Sequence, residues 1–409
     1  MQQRLMATLS CLVILVSTGN VLAKTPRRKN QTAPTANEMQ PAVETKNLEI
    51  PKTEEKKEKK DIAGYKKGFY IQTPDEKFKL VFNGNYQFQL DYDRKKGENH
   101  FGFKMRRTRF IFSGHLFTKK LTYKTQLALE RLDFKEVLLD ALIDYKFIDE
   151  KLRVQVGQQK LPWIREQIVS SSEQQFNDRS ILAESFLSSQ AFDTDHDGVA
   201  DKVSGNNRDI GIKVHGKVAD DKLEYEVGAY NGSGPNAANF NNHLLYAVRG
   251  VYNIMGDFGY KEGDYDYSEK AALFIGASAN YNVRDFTNDD ILQVGAESGF
   301  KYKGFSAQGE FIMRHNNPEA LDIDHVVDLA YYVQAGYFVI PKRFEVAARV
   351  SQIFFDGPDN NKSEYRLGFN TFVYKDNVKF QTDYAYLPSE SANGTQNAHT
   401  VKFRLQTKF

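Results

Sequence analysis

Across 409 residues there is one cysteine, one tryptophan and almost no net charge. Cys11 falls inside an apolar stretch near the N-terminus, so the rest of the chain carries no thiol and no disulfide framework. Lys and Arg total 55 against 53 Asp and Glu, a balance of +2 that argues against nucleic-acid binding, where a basic excess is the rule. After the N-terminus no run approaches about 18 consecutive apolar residues, so no transmembrane helix is expected there. G-x-S-x-G, H-E-x-x-H and Walker sequences are missing and the eight His are scattered, so the sequence supports no catalytic constellation.

Aromatic residues, by contrast, reach 13%, with 22 Tyr and 30 Phe. That richness favours strands and suits the aromatic girdles of a membrane barrel. The first residues read as a secretory signal: "MQQR" gives a positive start, "LMATLSCLVILVSTG" an apolar core and "NVLA" a small residue at the expected cut after Ala23. A lipid anchor on Cys11 is disfavoured because the apolar run continues past it. Residues 24–67 are rich in Pro, Lys, Glu and Thr and read as a flexible periplasmic tether, since they bury too little apolar surface to offset ordering entropy. A short helix or a cell-wall contact at "EEKKEKK" is the alternative.

From Phe78 the text changes to segments with period-two alternation: 78–92, 102–117, 119–132, 136–147, 150–159, 208–218, 222–230, 243–255, 269–281, 290–303, 305–315, 328–340, 343–355, 363–375, 377–387 and 397–409. These sixteen predict an all-β fold, a 16-stranded antiparallel transmembrane barrel spanning 68–409 in the bacterial outer membrane. Connections after even segments are mostly tight, as "IDE", "KG" and "KD"; those after odd segments are longer and polar, as "DRKKGENH", "HNNPEALDIDH" and "SESANGTQN". Short turns on one rim and long loops on the other are the outer-membrane pattern. One stretch, 256–268, is long where a short turn belongs, which points to a misplaced boundary. In the last segment Val401, Phe403, Leu405, Thr407 and Phe409 share a lipid-facing parity opposite Lys402, Arg404, Gln406 and Lys408.

The longest connection, 160–207, follows the fifth segment. "VQVGQQKLP" leads into "SSSEQQFNDRS", and "RDIGIKVHG" opens the next strand. With "RRTRFIFSG" and "YEVGAYNGSG", these blocks resemble the phosphate-selective porin O and P family. The resemblance implies a homotrimer of sixteen-stranded barrels, each with its long loop folded into the pore, passing phosphate or other small anions along Arg and Lys side chains without a cofactor.

Parity places Lys124, Arg153, Lys213, Lys217, Arg249, Lys301, Arg349, Arg366, Lys379, Lys402 and Arg404 inward. Arg107 and Arg109 join them if Phe110 and Phe112 face lipid, leaving Arg106 anomalous near the headgroups unless a bulge intervenes. Arginine forks and lysine point charges suit phosphate and set anion selectivity in pores. Arg107, Arg109, Arg165 and Arg179, with Ser170, Ser171 and Ser172 as neutral donors, are the candidates at the narrowing; Lys213, Arg249, Arg349 and Arg366 are candidates along the wall. Inward acids, among them Glu130, Asp140, Glu226, Glu297, Glu310, Glu345 and Asp383, keep a salt-bridged wall and a purely structural loop as alternatives.

Inside the loop, "DTDHDGVAD" sets Asp193, Asp195, Asp197 and Asp201 around Gly198, a spacing that suits calcium, although Ser204 stands where an EF-hand needs Glu. A solvated acidic tip is the alternative. The functional expectation is an outer-membrane anion porin in contact with lipid. A general porin and a wall-anchoring structural protein are its rivals.

Overall fold

The computed structural model describes residues 62–130, 137–186, 207–239, 241–283, 290–317, 326–356, 361–389 and 396–409. Residues 1–61, holding the expected signal and most of the tether, and Asp193, Asp195, Asp197 and Asp201 lie outside them. Two short strands come first, β1 (Ala63–Tyr65) and β2 (Phe69–Gln72). Then follow β3 (Lys79–Lys95), β4 (Glu98–Leu116), β5 (Thr118–Ala128), β6 (Leu138–Ile148), β7 (Leu152–Lys160), β8 (Arg208–Val218), β9 (Leu223–Tyr230) and β10 (Leu245–Met255). The second half comprises β11 (Ala272–Val283), β12 (Asp290–Tyr302), β13 (Phe305–Asn317), β14 (Val326–Ile340), β15 (Phe344–Phe354), β16 (Lys362–Tyr374), β17 (Val378–Ser389) and β18 (Gln396–Lys408). Two short helices, α1 (Arg165–Ile168) and α2 (Ile181–Ser185), lie in the connection after β7.

Each strand from β3 to β18 pairs antiparallel with its successor, and β18 returns to β3, Lys408 opposite Asn85 through Ala398 opposite Lys95. Sixteen strands therefore close a barrel, which leaves no free edge in a medium that cannot hydrogen-bond one. Phe409 completes the seam: its N–H donates to the Gly84 carbonyl at 3.1 Å and its carbonyl accepts from the Gly84 N–H at 3.2 Å. Its ring packs on Phe82 and Tyr86, with centroids 5.5 and 6.0 Å away. Residues 63–65, which composition assigns to the tether, instead pair with β2, and β2 pairs with the first four residues of β3, Lys79 to Phe82, just beyond Phe409.

Burial is inverted relative to a soluble protein. Leu292, Phe311, Val333 and Tyr337 are exposed on the outer face, while Gln293, Glu297, Gln334 and Arg349 are buried inside. Strand alternation produces both faces from one sequence, one matched to hydrocarbon and one to water. The rim carrying the chain end is made of tight turns, such as Lys303–Gly304, where both residues take positive φ as a two-residue hairpin requires. At the other rim the expected loop 93–101 is largely absent. β3 and β4 continue to a Lys96–Gly97 turn, because Lys95 faces Glu98 and Asp93 faces His100 across the hairpin.

The stretch 256–271 does not mark a misplaced boundary: β10 ends at Met255, and the added residues turn into the barrel, where Phe258, Glu262 and Asp264 are buried.

Candidate functional site in the barrel lumen

The described part of the long loop, 161–186, runs inside the barrel. Its foundation is apolar: Leu161, Trp163, Ile164, Leu182, Ala183 and Phe186 pack on inward-facing Leu245, Ile312, Tyr332 and Ile353. Trp163 is fully buried and its indole N–H donates to the Phe186 carbonyl at 2.9 Å, stapling the two ends of the described loop together. Each Leu, Ile or Phe among them contributes about 1.5–3 kcal/mol on removal from water. Ile164 holds a left-handed φ of 58°, costly for a β-branched residue. Glu310 stabilises that turn by accepting from the Arg165 and Glu166 amides at 2.7 and 2.9 Å.

Glu166 organises the next turn. It accepts from the Ser180 amide and from the Ser180 hydroxyl at 2.6 Å, and Arg349 donates to it at 3.1 Å. Ser180 in turn caps α2 through Ala183. Burial pushes the Glu166 carboxyl up to about 8; Arg349 pulls it down and Glu262 adds to the rise. Farther along, the loop carbonyls of Gln174, Asn177 and Asp178 accept from Lys379, Arg404 and Arg349, and those of Ser171 and Ser172 from Gln87 and Gln406. The loop therefore leans on β13–β18 and β3.

The opposite half stays open. A cavity of about 340 Å³ runs between Ile168 of the loop and the inner faces of β5–β8, lined by Lys124, Asp140, Asp144, Gln155, Lys160 and Lys213. β4 carries the densest cationic face beside it. A bulge at Arg106, where Gln87 pairs with Arg107 but Phe88 with Met105, reverses the alternation. Arg106 therefore does not lie at the headgroups: it faces inward and meets Asp178 at 3.5 Å, beside Arg107 and Arg109. Phe110 and Phe112 do face outward, Phe112 stacked on Phe82 and Phe110 edge-on to it.

The inward cations divide by their partners. Lys213 pairs with Glu226 at 2.7 Å, Arg249 with Glu297 at 2.6 Å, Arg349 with Glu364 at 2.6 Å and Arg366 with Asp383 at 2.8 Å, so carboxylates neutralise all four. Arg109 pairs with Glu130 at 3.2 Å. Arg165 is caged by Phe258, Tyr260 and Phe274, 4.3–5.0 Å from the ring centroids, which removes it from the passage. Arg107, Arg179 and Lys160 differ: among the described residues they donate to neutral oxygens, those of the Gln87 side chain (2.8 Å), the Glu166 carbonyl (3.0 Å) and the Ile168 carbonyl (2.7 Å). Their charge is positioned without being cancelled by a bonded carboxylate. Of the serines, Ser171 and Ser172 are buried and engaged through their carbonyls, while Ser170 is exposed on the loop, its hydroxyl 3.0 Å from that of Ser172.

Asp178 reports the field. Burial would push its carboxyl up, yet Lys402, Arg366, Arg106 and Arg404 hold it well below the usual carboxylate range. Burial lowers the Arg179 guanidinium; Glu184 and Glu166 oppose this, and Arg208 and Arg106 reinforce it. An anion is thus favoured where these cations converge.

Sequence reasoning missed Trp163, Glu166 and Lys160 as determinants of this arrangement. A signal for the first existed: apolar residues of the wrong parity, Leu245, Ile312 and Ile353, interrupt otherwise polar inner faces.

Residues 78–409 match the family described as phosphate-selective porin O and P. A protein of Aquifex aeolicus (strain VF5), described as uncharacterized, is 23% identical over 347 residues, covering 77% of this chain and 72% of that one. Among solved structures, an anion-selective porin from Comamonas acidovorans superposes with TM-score 0.60 at 11% identity, over 81% of this chain and 99% of the other. The outer-membrane channel DcaP of Acinetobacter baumannii gives 0.54 at 11% identity, covering 83% and 99%. OmpT of Vibrio cholerae in its trimer form gives 0.51 at 12% identity, covering 80% and 98%.

Proposed function

Because the chain belongs to the phosphate-selective porin O and P family, an outer-membrane porin family, we propose that its substrates are small oxyanions, phosphate foremost, which diffuse passively along the β4–β8 face. The observation that carries this reading is the division of charge. Carboxylates such as Glu310, Glu345 and Asp383 hold the loop against β13–β18, whereas Lys160 lines the open cavity and, like Arg107 and Arg179 elsewhere in the lumen, donates to a neutral oxygen. An entering oxyanion exchanges part of its hydration for these donors, which hold no bonded carboxylate of their own, while passing Asp140 and Asp144 on the cavity wall. Lipid surrounds the exposed apolar band, and the working unit is a homotrimer, a reading supported by the trimer form of its fold relative, OmpT of Vibrio cholerae.

The test is a planar bilayer. In a KCl gradient the reversal potential should report anion preference, and added phosphate should reduce chloride current; the Arg107→Ala/Arg179→Ala variant should lose both. Cation preference, or a phosphate response unchanged in that variant, would reject this path. Weak preference without phosphate block would favour the general-porin reading, which the many inward acids support. Deleting residues 24–67 should leave conduction unchanged in a channel; loss of a cell-wall partner in that deletion would favour the anchoring reading.

A further inference from the structure

On the rim that carries the chain end, every other connection between consecutive barrel strands is a tight turn, yet 256–271 enters the lumen. We propose that this segment is a strap that sets the pore's width together with the long loop, with Glu262 as the positioning residue that locks strap to loop; its effect on selectivity rests on the anion-channel reading above.

The strap is fixed to the wall at widely separated places. Near its start, the Tyr260 hydroxyl accepts from Arg249 at 2.9 Å and donates to Glu224, on β10 and β9. Farther on, Asp264 accepts from the Gly304 amide at 2.8 Å, and the Tyr265 ring lies 5.9 and 5.0 Å from Phe338 of β14 and Phe372 of β16. Lys261 reaches Asp376 of the β16–β17 turn at 3.4 Å. These attachments carry the segment across the barrel from β9 to β16, the half away from the cavity.

Between these ends it grips the loop twice. The Gly259 carbonyl accepts from Arg165, whose guanidinium is sandwiched by strap residues Phe258 and Tyr260 and by Phe274. Beyond that contact, the Glu262 carboxylate accepts from the Gln175 amide at 2.8 Å and from Gln334 of the wall at 3.0 Å, while its own amide donates to the Glu173 carbonyl at 3.2 Å. Glu262 is 1% exposed, so this is a buried three-way joint between strap, loop and wall. A sixteen-stranded barrel leaves a channel unless something fills it. The strap occupies the lumen on the β9–β16 side, opposite the cavity between the loop and β5–β8, so among the described residues it narrows the passage from the side the loop does not.

Two variants test this. One replaces 257–268 by an Asn-Gly turn; the other is Glu262→Ala, with Glu262→Gln as the conservative rescue because its amide oxygen can still accept from Gln175. Heat-modifiable mobility on gels selects closed barrels, and single-channel conductance and reversal potential are then read. The strap replacement should raise conductance severalfold and move the anion-to-cation permeability ratio toward unity. Glu262→Ala should shift both in the same direction to a smaller extent, and Glu262→Gln should restore them. If the replacement does not assemble, the Glu262 pair decides. Wild-type conductance and ratio in a well-folded Glu262→Ala barrel would overturn the proposal. If the wild type itself shows no anion preference, the functional reading fails, and the strap's control of width is still decided by conductance.

Discussion

At the scale of single residues, lumen cations of one chemical type perform different work according to what they touch. Arg349 is fully buried between Glu166 and Glu364, and replacing it by Met leaves Glu166 without its cation and Glu364 with Arg366 alone. Such a change costs about 3–5 kcal/mol; thermal unfolding in detergent should show a large drop with little direct effect on ion preference. Asp178 is the converse case, a tethered anion amid cations. Asp178→Asn should increase anion preference and tighten phosphate block, because the cations at that point lose their competitor. A weakened block in a folded Asp178→Asn barrel would show that the field is organised elsewhere.

Residue identity alone did not reveal this division. Parity indicated that Arg107, Lys213 and Arg349 all face inward, but a carboxylate partner on a neighbouring strand is decided by register. Lys213 meets Glu226 because β8 and β9 place them diagonally across from one another, thirteen residues apart in sequence.

At the scale of elements, the loop's docking is linked to protons through Glu166. Its carboxyl is raised from an ordinary value of 4.5 to about 8 in the folded state, primarily by burial. The docked loop therefore holds a proton that the undocked loop releases at lower pH. Docking is most stable below 4.5, weakens as pH rises through the interval and is weakest above 8. Hydrogen exchange at the Ser180 and Ala183 amides should accelerate from about pH 5 to about pH 9 beyond the intrinsic base catalysis, and Glu166→Gln should remove that excess. The seam supports another prediction. Phe409→Ala retains the Gly84 backbone bonds but loses ring contacts with Phe82 and Tyr86, each worth about 0.5–1.5 kcal/mol. Refolding into detergent, followed by heat-modifiable mobility, should slow relative to wild type.

Strand number, alternation and the terminal aromatic strand were legible in the sequence because a barrel strand's two faces meet lipid and water, and each leaves a period-two record. The inward path of 256–271 was not. Its Tyr, Asp and Gly residues are compatible with an exposed turn, and only contact with Arg165, Gln175 and Gln334 makes them a buried strap. Arg106 failed for a related reason: a bulge inserts one residue and reverses parity without any mark in composition.

At the scale of the whole molecule, a chain of net charge +2 acquires a directional field only by folding. Folding gathers Arg106, Arg366, Lys402 and Arg404 around Asp178, while Lys160 faces the open cavity in the company of Asp140 and Asp144. Such a field is screened by salt, with a Debye length of about 10 Å at 0.1 M and about 3 Å at 1 M. The anion-to-cation permeability ratio should therefore fall when mean KCl is raised from about 0.1 M to about 1 M. A salt-independent ratio would indicate selection by size instead of charge.

The sequence by itself determined that this chain closes a sixteen-stranded barrel with an apolar outside, a polar inside and a long connection after the fifth barrel strand. Those properties follow from local alternation and turn chemistry, which neighbouring residues encode. Only the tertiary structure decided which half of the lumen stays open, which cations keep their charge and how the strap meets the loop. Those depend on side chains more than a hundred residues apart arriving at one place, as Gln175 and Glu345 do at 2.6 Å, and no local pattern records such a meeting.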